Sequence, residues 1–222
     1  GGLVEHRWVA RQSHRMTPEP RAVASREFIP SVAVGAGATW ERFVEVLRER
    51  LLDQDIVDPE AQRLAREITR GARAASEKLR RVHGWVLDNI EQEGAGNPFD
   101  QAPRMLNARA GHRARVMCYL LRLQDVPCDV ALVRPGNGDA TRSELADDNT
   151  FASILLRVRT ERGVQWVTGA DHNAPVMYLP PALAGGDALV LVSGAPRERV
   201  PALDLDAHGR TLTVRLALAA DG

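Results

Sequence analysis

Residues 105–133 read MLNARAGHRARVMCYLLRLQDVPCDVALV, and this stretch decides the fold. Gly111 opens an apolar run with helical spacing that reaches Gln124. Val126-Pro127 then interrupts the helical pattern, because proline lacks the backbone N–H that a helix needs. The short apolar run Asp129–Val133 follows directly and is typical of a buried strand. The segment therefore predicts an apolar helix, a tight turn and a strand.

A second informative stretch covers residues 151–192 and reads FASILLRVRTERGVQWVTGADHNAPVMYLPPALAGGDALVLV. Its apolar and β-branched residues fall into three short runs separated by Gly, Asn, Asp and Pro. This pattern predicts strands at Phe151–Arg159, Val164–Thr168 and Ala188–Val192.

Three further helices are predicted upstream. Thr39 is the expected N-cap of the first, which reaches Leu51 with apolar residues at helical spacing. Asp58-Pro59-Glu60 gives the second helix an N-cap, a first-turn proline and an early acid, and Gly71 closes it. The third helix is predicted at Ser76–Ile90. Helices followed by a run of strands predict an α+β fold, with helices packed on an antiparallel sheet.

The two ends of the chain differ from this central part. Residues 1–37 contain an extended-looking start and then prolines and glycines, so they are predicted to be a strand and linker. Residues 38–195 form the predicted main domain. Residues 196–222 are a predicted C-terminal strand extension, in which Thr211–Leu218 alternates apolar and polar positions. Within the main domain, Arg134–Thr150 is predicted to be a long surface loop.

Both quoted stretches resemble the transglutaminase-like superfamily, which has the papain-like cysteine protease fold, and in particular its bacterial type with an N-terminal β-rich domain. In that family, a Gly-Asp-Cys motif opens an apolar helix, and the motifs Phe-Asn-His and Trp-Leu-Asp-Pro lie in two later strands. The corresponding segments here are Gly111-His112-Arg113, the strand that starts at Phe151, and the strand that contains Trp166. The resemblance extends over residues 30–192, and it implies that the strand and linker of residues 1–37 come from a preceding β-rich domain.

The resemblance implies that all three catalytic positions have changed. Aligning the two strand motifs without a gap places Ser153 at the position of the catalytic His and Thr168 at the position of the orienting Asp. The nucleophile position falls on Arg113 when the helix is aligned from Gly111, and on Ala110 when it is aligned from its far end. Neither choice supplies a thiol.

Each of these roles is chemically narrow. Acyl transfer needs a thiolate, a base that takes its proton, and a group that orients the base. A guanidinium stays protonated and cannot attack a carbonyl carbon. A serine hydroxyl is not a base near neutral pH, and a threonine cannot hold an imidazole by charge. We therefore expect a catalytically inactive domain that keeps its cleft and serves as a peptide-binding, protein-binding or structural module. The expected binding residues are His112, Arg113, Ser153, Thr168, Asp171 and His172.

The alternative is a cysteine-dependent hydrolase or acyltransferase with relocated residues, built from Cys118, His172 and Asp171. Adjacent side chains on an extended segment point apart, and a cysteine in mid-helix is poorly exposed, which disfavours this triad. Cys118 and Cys128 are expected to be structural thiols, with a bridge only if the intervening turn brings them together.

Composition excludes several other classes of function. Hydrophobic residues make up 44% and charged residues 26%, with a formal net charge of zero, which is typical of a globular domain without a nucleic-acid-binding surface. No apolar run is long enough for membrane insertion. His83 and His112 lack a further ligand at metal-binding spacing, so no metal or cofactor is expected. Oligomeric state is not predicted.

The start at Gly1-Gly2 predicts a fragment of a longer protein, so the sequence itself does not indicate the cellular compartment. The resemblance suggests the bacterial cell envelope or periplasm.

The tryptophans and three of the arginines each allow two interpretations. The tryptophans are expected to pack in the core, with a ligand groove as the other interpretation. Arg109, Arg113 and Arg115 form either a solvated charged turn or a site for an acidic peptide.

Overall fold

The computed structural model describes residues 39–51, 53, 56–92, 100–135, 146 and 150–203. Within them the chain forms five helices and seven strands. The helices are α1 Trp40–Leu51, α2 Pro59–Ile68, α3 Ala75–Asn89, α4 Ala102–Ala108 and α5 Arg113–Arg122. The strands are β1 Glu91–Gln92, β2 Ala110–Gly111, β3 Cys128–Val133, β4 Ser153–Thr160, β5 Gly163–Val167, β6 Asp187–Val190 and β7 Arg197–Arg199.

Some predicted elements cannot be compared with this structure. The strand and linker of residues 1–37, the strand Thr211–Leu218 and most of the loop Arg134–Thr150 lie outside the described residues. Among the helices that are described, none combines the length and the apolar character needed to cross a membrane.

Five strands form one antiparallel sheet in the order β5-β4-β3-β6-β7, and the predicted α+β class is confirmed. Because side chains alternate across a strand, the sheet buries two separate sets of residues. One set packs under the helices: Val130, Leu132, Leu156, Val158, Val167 and Leu189. The other set packs under the segments that follow β5 and β7: Ala131, Val133, Leu155, Trp166, Ala188 and Val190. The sheet is therefore covered on both faces.

Helix α5 lies at the centre of the helical layer, in contact with α2, α3, α4 and β3. All eight residues from Ala114 to Leu121 are buried. A helix that is buried on every side must satisfy its polar groups internally. Arg115 accordingly pairs with Asp53 at 3.2 Å, and the Tyr119 hydroxyl accepts a hydrogen bond from the Asp58 N–H at 3.2 Å.

The predicted helix starts are confirmed where capping side chains were identified. Asp58 caps α2, since its Oδ1 accepts from the Ala61 N–H at 2.8 Å. Thr39 caps α1 by accepting from the Arg42 N–H at 3.3 Å. Gly71, just beyond α2, has a φ of +80°, which glycine adopts without strain.

Four elements were not predicted, namely α4, β7 and the two-residue strands β1 and β2, which pair in parallel. Helix α4 starts at Ala102-Pro103, where proline in the first turn is a helix-start signal, but the helix is only 7 residues long. Strand β7 consists of Arg-Glu-Arg and has no apolar alternation of its own. It pairs with β6 at the edge of the sheet, so residues 197–199 of the predicted C-terminal extension belong to this sheet.

The expectation of separate thiols is wrong, because Cys118 and Cys128 form a disulfide. The turn at Val126-Pro127 folds β3 back along α5, and the Val126 N–H donates to the Leu121 carbonyl at 3.0 Å. This return brings the two Cα atoms to 5.5 Å, a normal separation for a disulfide. Both cysteines are 2% exposed.

Reduction of this disulfide should lower the free energy of unfolding by about 2.5 kcal/mol, since the bridge restricts a ten-residue loop in the unfolded chain. Urea titrations of the oxidised and reduced protein would measure the difference. The Cys118→Ala/Cys128→Ala protein serves as the control, because its stability should not respond to reductant. Two titratable thiols in unreduced, denatured protein would contradict the bridge.

Candidate binding cleft

A cleft of about 230 Å³ opens between the N-terminus of α5 and the ends of β4 and β5. Its lining combines small, apolar and neutral polar side chains: Gln92, His112, Ala114, Ser153, Ile154, Thr168, Gly169, Ala170, Pro180 and Leu183. Three of the predicted site residues therefore share this cleft, namely His112, Ser153 and Thr168.

Ser153 and Thr168 come together because β4 and β5 form a hairpin. Leu156 pairs with Val167, so the start of β4 and the end of β5 lie at the same open end of the hairpin. Ser153 begins β4 and Thr168 directly follows β5, so both residues reach the cleft from this end. Thr168 is buried, and its hydroxyl accepts a hydrogen bond from the Ala170 N–H at 3.1 Å. That contact holds the chain in a turn directly after β5.

Arg113 is the first residue of α5, but its guanidinium turns away from the cleft. Its Nε donates to the Ile90 carbonyl at 2.7 Å, and its Nη2 lies 3.4 Å from the Leu87 carbonyl. Both carbonyls belong to the C-terminal end of α3. A cation is unfavourable at a helix N-terminus but favourable at a C-terminus, where carbonyls lack partners. The Arg113 charge is thus stabilised by the neighbouring helix.

Neutral groups bind two of the backbone N–H groups at the start of α5. The Arg113 N–H donates to Gln92 Oε1 at 3.2 Å, and the His112 N–H donates to Met105 Sδ at 3.2 Å. Gly111 allows the second contact, because its φ is +135° and a Cβ there would lie 2.7 Å from Met105 Sδ.

Gly169 permits a close approach on the opposite wall. A Cβ at this position would lie 3.0 Å from Arg113 Cβ and 3.3 Å from the Ala114 nitrogen. The chain leaving β5 therefore passes directly against the first turn of α5. This contact sets the width of the cleft at its inner end.

Two histidines beside the cleft are held in their neutral form. Burial lowers the pKa of His83, an effect partly offset by the nearby Thr168 carbonyl. Burial and the positive charge of Arg115 lower the pKa of His112. His83 Nε2 and His112 Nδ1 are buried and have no hydrogen-bond partner among the residues that the structure describes. Neither nitrogen is open to the cleft, because neither has appreciable solvent-accessible surface.

The remaining predicted site residues lie outside the cleft lining. His172 Nδ1 donates to the Leu87 carbonyl at 2.9 Å, which makes Nδ1 the protonated ring nitrogen. Asp171 turns back on its own chain and accepts from the Asn173 N–H at 3.0 Å. Ala110 lies in β2, paired with Glu91 and ahead of α5. Asp171 and His172 make separate contacts, but they lie in a turn closed by the Ala174 N–H on the Asp171 carbonyl and not on the extended segment that was expected.

The three arginines at the start of α5 do not form one cluster. Arg115 is 4% exposed and paired with Asp53, so its interpretation as part of a solvated turn is wrong. Arg109 is exposed, and its guanidinium carbon lies 4.8 Å from the centre of the Trp85 ring. With Arg113 directed at α3, the three charges serve three separate contacts.

The sequence analysis did not identify seven residues of the lining: Gln92, Ala114, Ile154, Gly169, Ala170, Pro180 and Leu183. Gly169 and Ala170 follow Thr168 directly, and small residues next to a candidate site signal a close approach of the backbone. Gln92 carries no such signal, because a lone polar residue after a helix resembles any solvated loop residue.

The arrangement of α5, β4 and β5 defines the class of fold. A central helix whose N-terminus abuts the ends of two antiparallel strands is the arrangement of the papain-like α+β core. Residues 62–167 match the family model of the transglutaminase-like superfamily, a stretch that contains Arg113 and Ser153 and stops just before Thr168. The chain therefore contains a transglutaminase-like domain, and the predicted family is confirmed.

Solved structures share this fold at low sequence identity. A "putative protease" from Parabacteroides distasonis aligns with a TM-score of 0.57 and 14% identity, over 74% of this chain and 31% of its own. The chain thus spans less than a third of that protein. A "putative cysteine protease" from Cytophaga hutchinsonii covers 61% of this chain and 48% of its own at 16% identity, and its TM-score of 0.38 is too low to support a conclusion. No curated protein matches the sequence significantly.

Replacing Arg113 with alanine should lower the free energy of unfolding by about 2 kcal/mol, because it removes charge-assisted hydrogen bonds to the end of α3. Arg109→Ala is the matched control, for which the loss of a cation–π contact predicts about 0.5–1 kcal/mol. Urea titration of both variants measures the difference. Equal effects would show that the contacts of Arg113 with α3 add nothing.

Stability should fall as the pH decreases from 7 to 5. His83 and His112 have folded-state pKa values below the unfolded value of about 6.5, so the unfolded chain binds more protons in this window. Each histidine can contribute a slope of up to about 1.4 kcal/mol per pH unit, which levels off below its folded-state pKa. Urea titrations at several pH values should give a shallower slope for His83→Phe/His112→Phe. An unchanged slope would mean that neither histidine is held neutral.

Proposed function

We propose that this chain is a catalytically inactive transglutaminase-like domain that binds an extended polypeptide segment of a partner protein in the cleft beside α5. The observation that carries the proposal is the lining of that cleft. Ser153, Thr168 and the first turn of α5 border the same space, although none of the side chains at the three aligned positions suits the acyl-transfer roles.

The contacts of the side chains at these positions support the proposed loss of catalytic activity. The Arg113 guanidinium is bound to α3 carbonyls, and the Thr168 hydroxyl is bound within its own turn. Cys118 and Cys128 are joined to each other, and neither is part of the cleft lining. A relocated cysteine enzyme would need a free thiolate beside a base, and a disulfide withholds both sulfur atoms.

The proposal of a polypeptide ligand rests on the fold and on the shape of the cleft. The Parabacteroides structure that shares the fold is described as a "putative protease", and a protease cleft accepts an extended chain. The cleft here is open to solvent on one side, where Ala170 is exposed, and it has apolar walls at Ile154 and Leu183. An apolar lining with a few polar groups is typical of sites that bind and orient a ligand.

The disulfide also supports a proposal about compartment. Disulfides persist in oxidising surroundings such as the bacterial periplasm and the cell surface. We infer a cell-envelope or periplasmic location, in which the Cys118–Cys128 bridge would stabilise the domain.

Filling the cleft should abolish peptide binding without unfolding the domain. Ala170→Trp places a large ring at the exposed edge of the cleft, and Ala108→Trp is a matched control on the exposed end of α4. An arrayed library of short peptides, probed with the purified wild-type protein, should yield binders that Ala108→Trp retains and Ala170→Trp loses. Thermal unfolding of both variants establishes that each is folded.

Two results would overturn the proposal. One is a library in which no peptide binds the wild-type protein, or in which both tryptophan variants bind as wild type does. The other is hydrolysis of a fluorogenic ester or a glutamine amide that is lost in Ser153→Ala. The expected rate of such hydrolysis is that of buffer alone.

A further inference from the structure

Positive charge is concentrated in two segments of the chain, although its formal net charge is zero. Residues 62–81 run from α2 through the following turn into α3, and they hold seven basic and two acidic side chains, a net charge of +5. Residues 157–164 form the tip of the hairpin of β4 and β5, and they hold three arginines and one glutamate.

Two contacts bring these segments to the same end of the domain. The Ser76 N–H donates to Glu161 Oε2 at 3.2 Å, which joins the start of α3 to the hairpin tip. Arg81 Nη1 donates to the Arg70 carbonyl, which joins α3 to the turn after α2. The cleft opens where β4 starts and β5 ends, so the hairpin tip lies at the opposite end of the eight-residue β4, roughly 25 Å away. The basic surface is therefore separate from the cleft.

Six exposed arginines make up this surface, which we call the arginine patch: Arg66, Arg70, Arg73, Arg80, Arg159 and Arg162. Five of them make no ion pair with any residue that the structure describes. The sixth, Arg162, approaches Glu161 only to 3.9 Å, and both side chains are largely exposed. An exposed pair at this distance contributes little.

The acids of the same segments do not neutralise the patch. Glu77 binds Arg81 at 2.9 Å, Glu161 binds the start of α3, and Glu67 makes no ion pair with a described residue. Arg66 and Arg70 also lie four residues apart, a spacing at which like charges on a helix destabilise it. An anionic surface placed against the patch would relieve this repulsion.

The form of the patch favours a lipid surface as its partner. Its arginines come from α2, from the turn, from α3 and from the hairpin, so they are spread over one end of the domain. Val164 is 44% exposed and lies directly opposite Arg159 in the hairpin, which places an apolar side chain beside the cations. An apolar side chain gains from contact with the headgroup and acyl boundary of a bilayer, and gains nothing from a soluble polyanion.

From these features we propose that the arginine patch binds the anionic headgroups of a phospholipid membrane, with Val164 at the headgroup layer. Guanidinium groups pair with phosphate through two parallel hydrogen bonds. Each arginine held near an anionic leaflet raises the affinity about fivefold. The binding is peripheral and leaves the cleft, at the far end of β4, directed away from the lipid. It does not depend on the proposed function of the cleft.

Sedimentation with vesicles tests the proposal. The purified protein should sediment with vesicles of phosphatidylcholine that contain phosphatidylglycerol, increasingly as the phosphatidylglycerol content rises, and not with phosphatidylcholine alone. Raising the ionic strength from about 0.1 M to about 1 M should release it, because the Debye length falls from about 10 Å to about 3 Å.

A triple substitution locates the binding surface. Removing one charge each from α2, the turn and the hairpin tip should lower the partition coefficient about a hundredfold. The variant is Arg66→Gln/Arg73→Gln/Arg159→Gln. The matched control loses the same net charge from exposed arginines that are paired with acids elsewhere in the domain, and it should bind as wild type does. This control is Arg42→Gln/Arg104→Gln/Arg199→Gln. Thermal unfolding establishes that both variants are folded.

A tryptophan probe tests the orientation. The fluorescence that Val164→Trp adds to the wild-type spectrum should shift to the blue on phosphatidylglycerol vesicles, since an indole at the membrane interface leaves bulk water. Val57→Trp is the control, because Val57 is 64% exposed but precedes the other end of α2. Its added fluorescence should not shift.

Several results would overturn the proposal and leave that for the cleft untouched. One is a protein that fails to sediment with phosphatidylglycerol vesicles at low ionic strength. Equal losses in the two triple variants would be another, as would an unshifted Val164→Trp spectrum on vesicles that bind the protein. Binding to poly-glutamate or duplex DNA that matches or exceeds binding to the vesicles at an ionic strength of about 0.15 M would assign the patch to a soluble polyanion instead.

Discussion

The burial of α5 is the constraint on which the rest of the structure depends. Eight consecutive residues of this helix are buried, so it contacts protein on every side. Each polar group that it carries needs an internal partner, since an unpaired buried group costs about 1–3 kcal/mol. Arg115 recruits Asp53, and the Tyr119 hydroxyl binds the backbone at the start of α2. Cys118 is tied to Cys128 at the start of β3. These contacts fix the helix relative to its surroundings independently of any catalytic group.

The ends of α3 and α5 show how an arginine can occupy a position that suits an anion. Taken alone, the N-terminus of α5 disfavours a cation. The C-terminal carbonyls of α3 lie close enough to receive the Arg113 guanidinium, and they also receive His172. Two helix ends of opposite polarity therefore meet at one side chain. The backbone geometry of the site is maintained by this pairing and by Gly111, which admits Met105 beside the first turn.

Much of the fold was predictable because its signals are local. Apolar periodicity and the caps Thr39 and Asp58 located α1, α2, α3 and α5, and the hairpin spacing brought Ser153 and Thr168 near each other. The features that were not predicted depend on contacts between residues that are far apart in the sequence. The Arg-Glu-Arg run of β7 becomes a strand only because β6 offers an unpaired edge. No sequence pattern indicates that Arg113 binds backbone carbonyls of α3. The same holds for the return of β3 along α5, which brings the two cysteines together.

The two alignments of the nucleophile position can be weighed by the geometry of the helix start. A nucleophile gains from the dipole only within the first turn of a helix. Arg113 is the first residue of α5, whereas Ala110 lies in β2 before it. If the predicted alignment holds, a thiol introduced at Arg113 would still lack a base at Ser153 and an orienting acid at Thr168, and the Arg113 N–H is already bound to Gln92. Hydrogen-bond donors contribute to catalysis only when they are free to bind the charge that develops in the transition state. Under the proposed function, the N-terminus of α5 therefore serves to hold a ligand and not to stabilise the negative charge of a reaction.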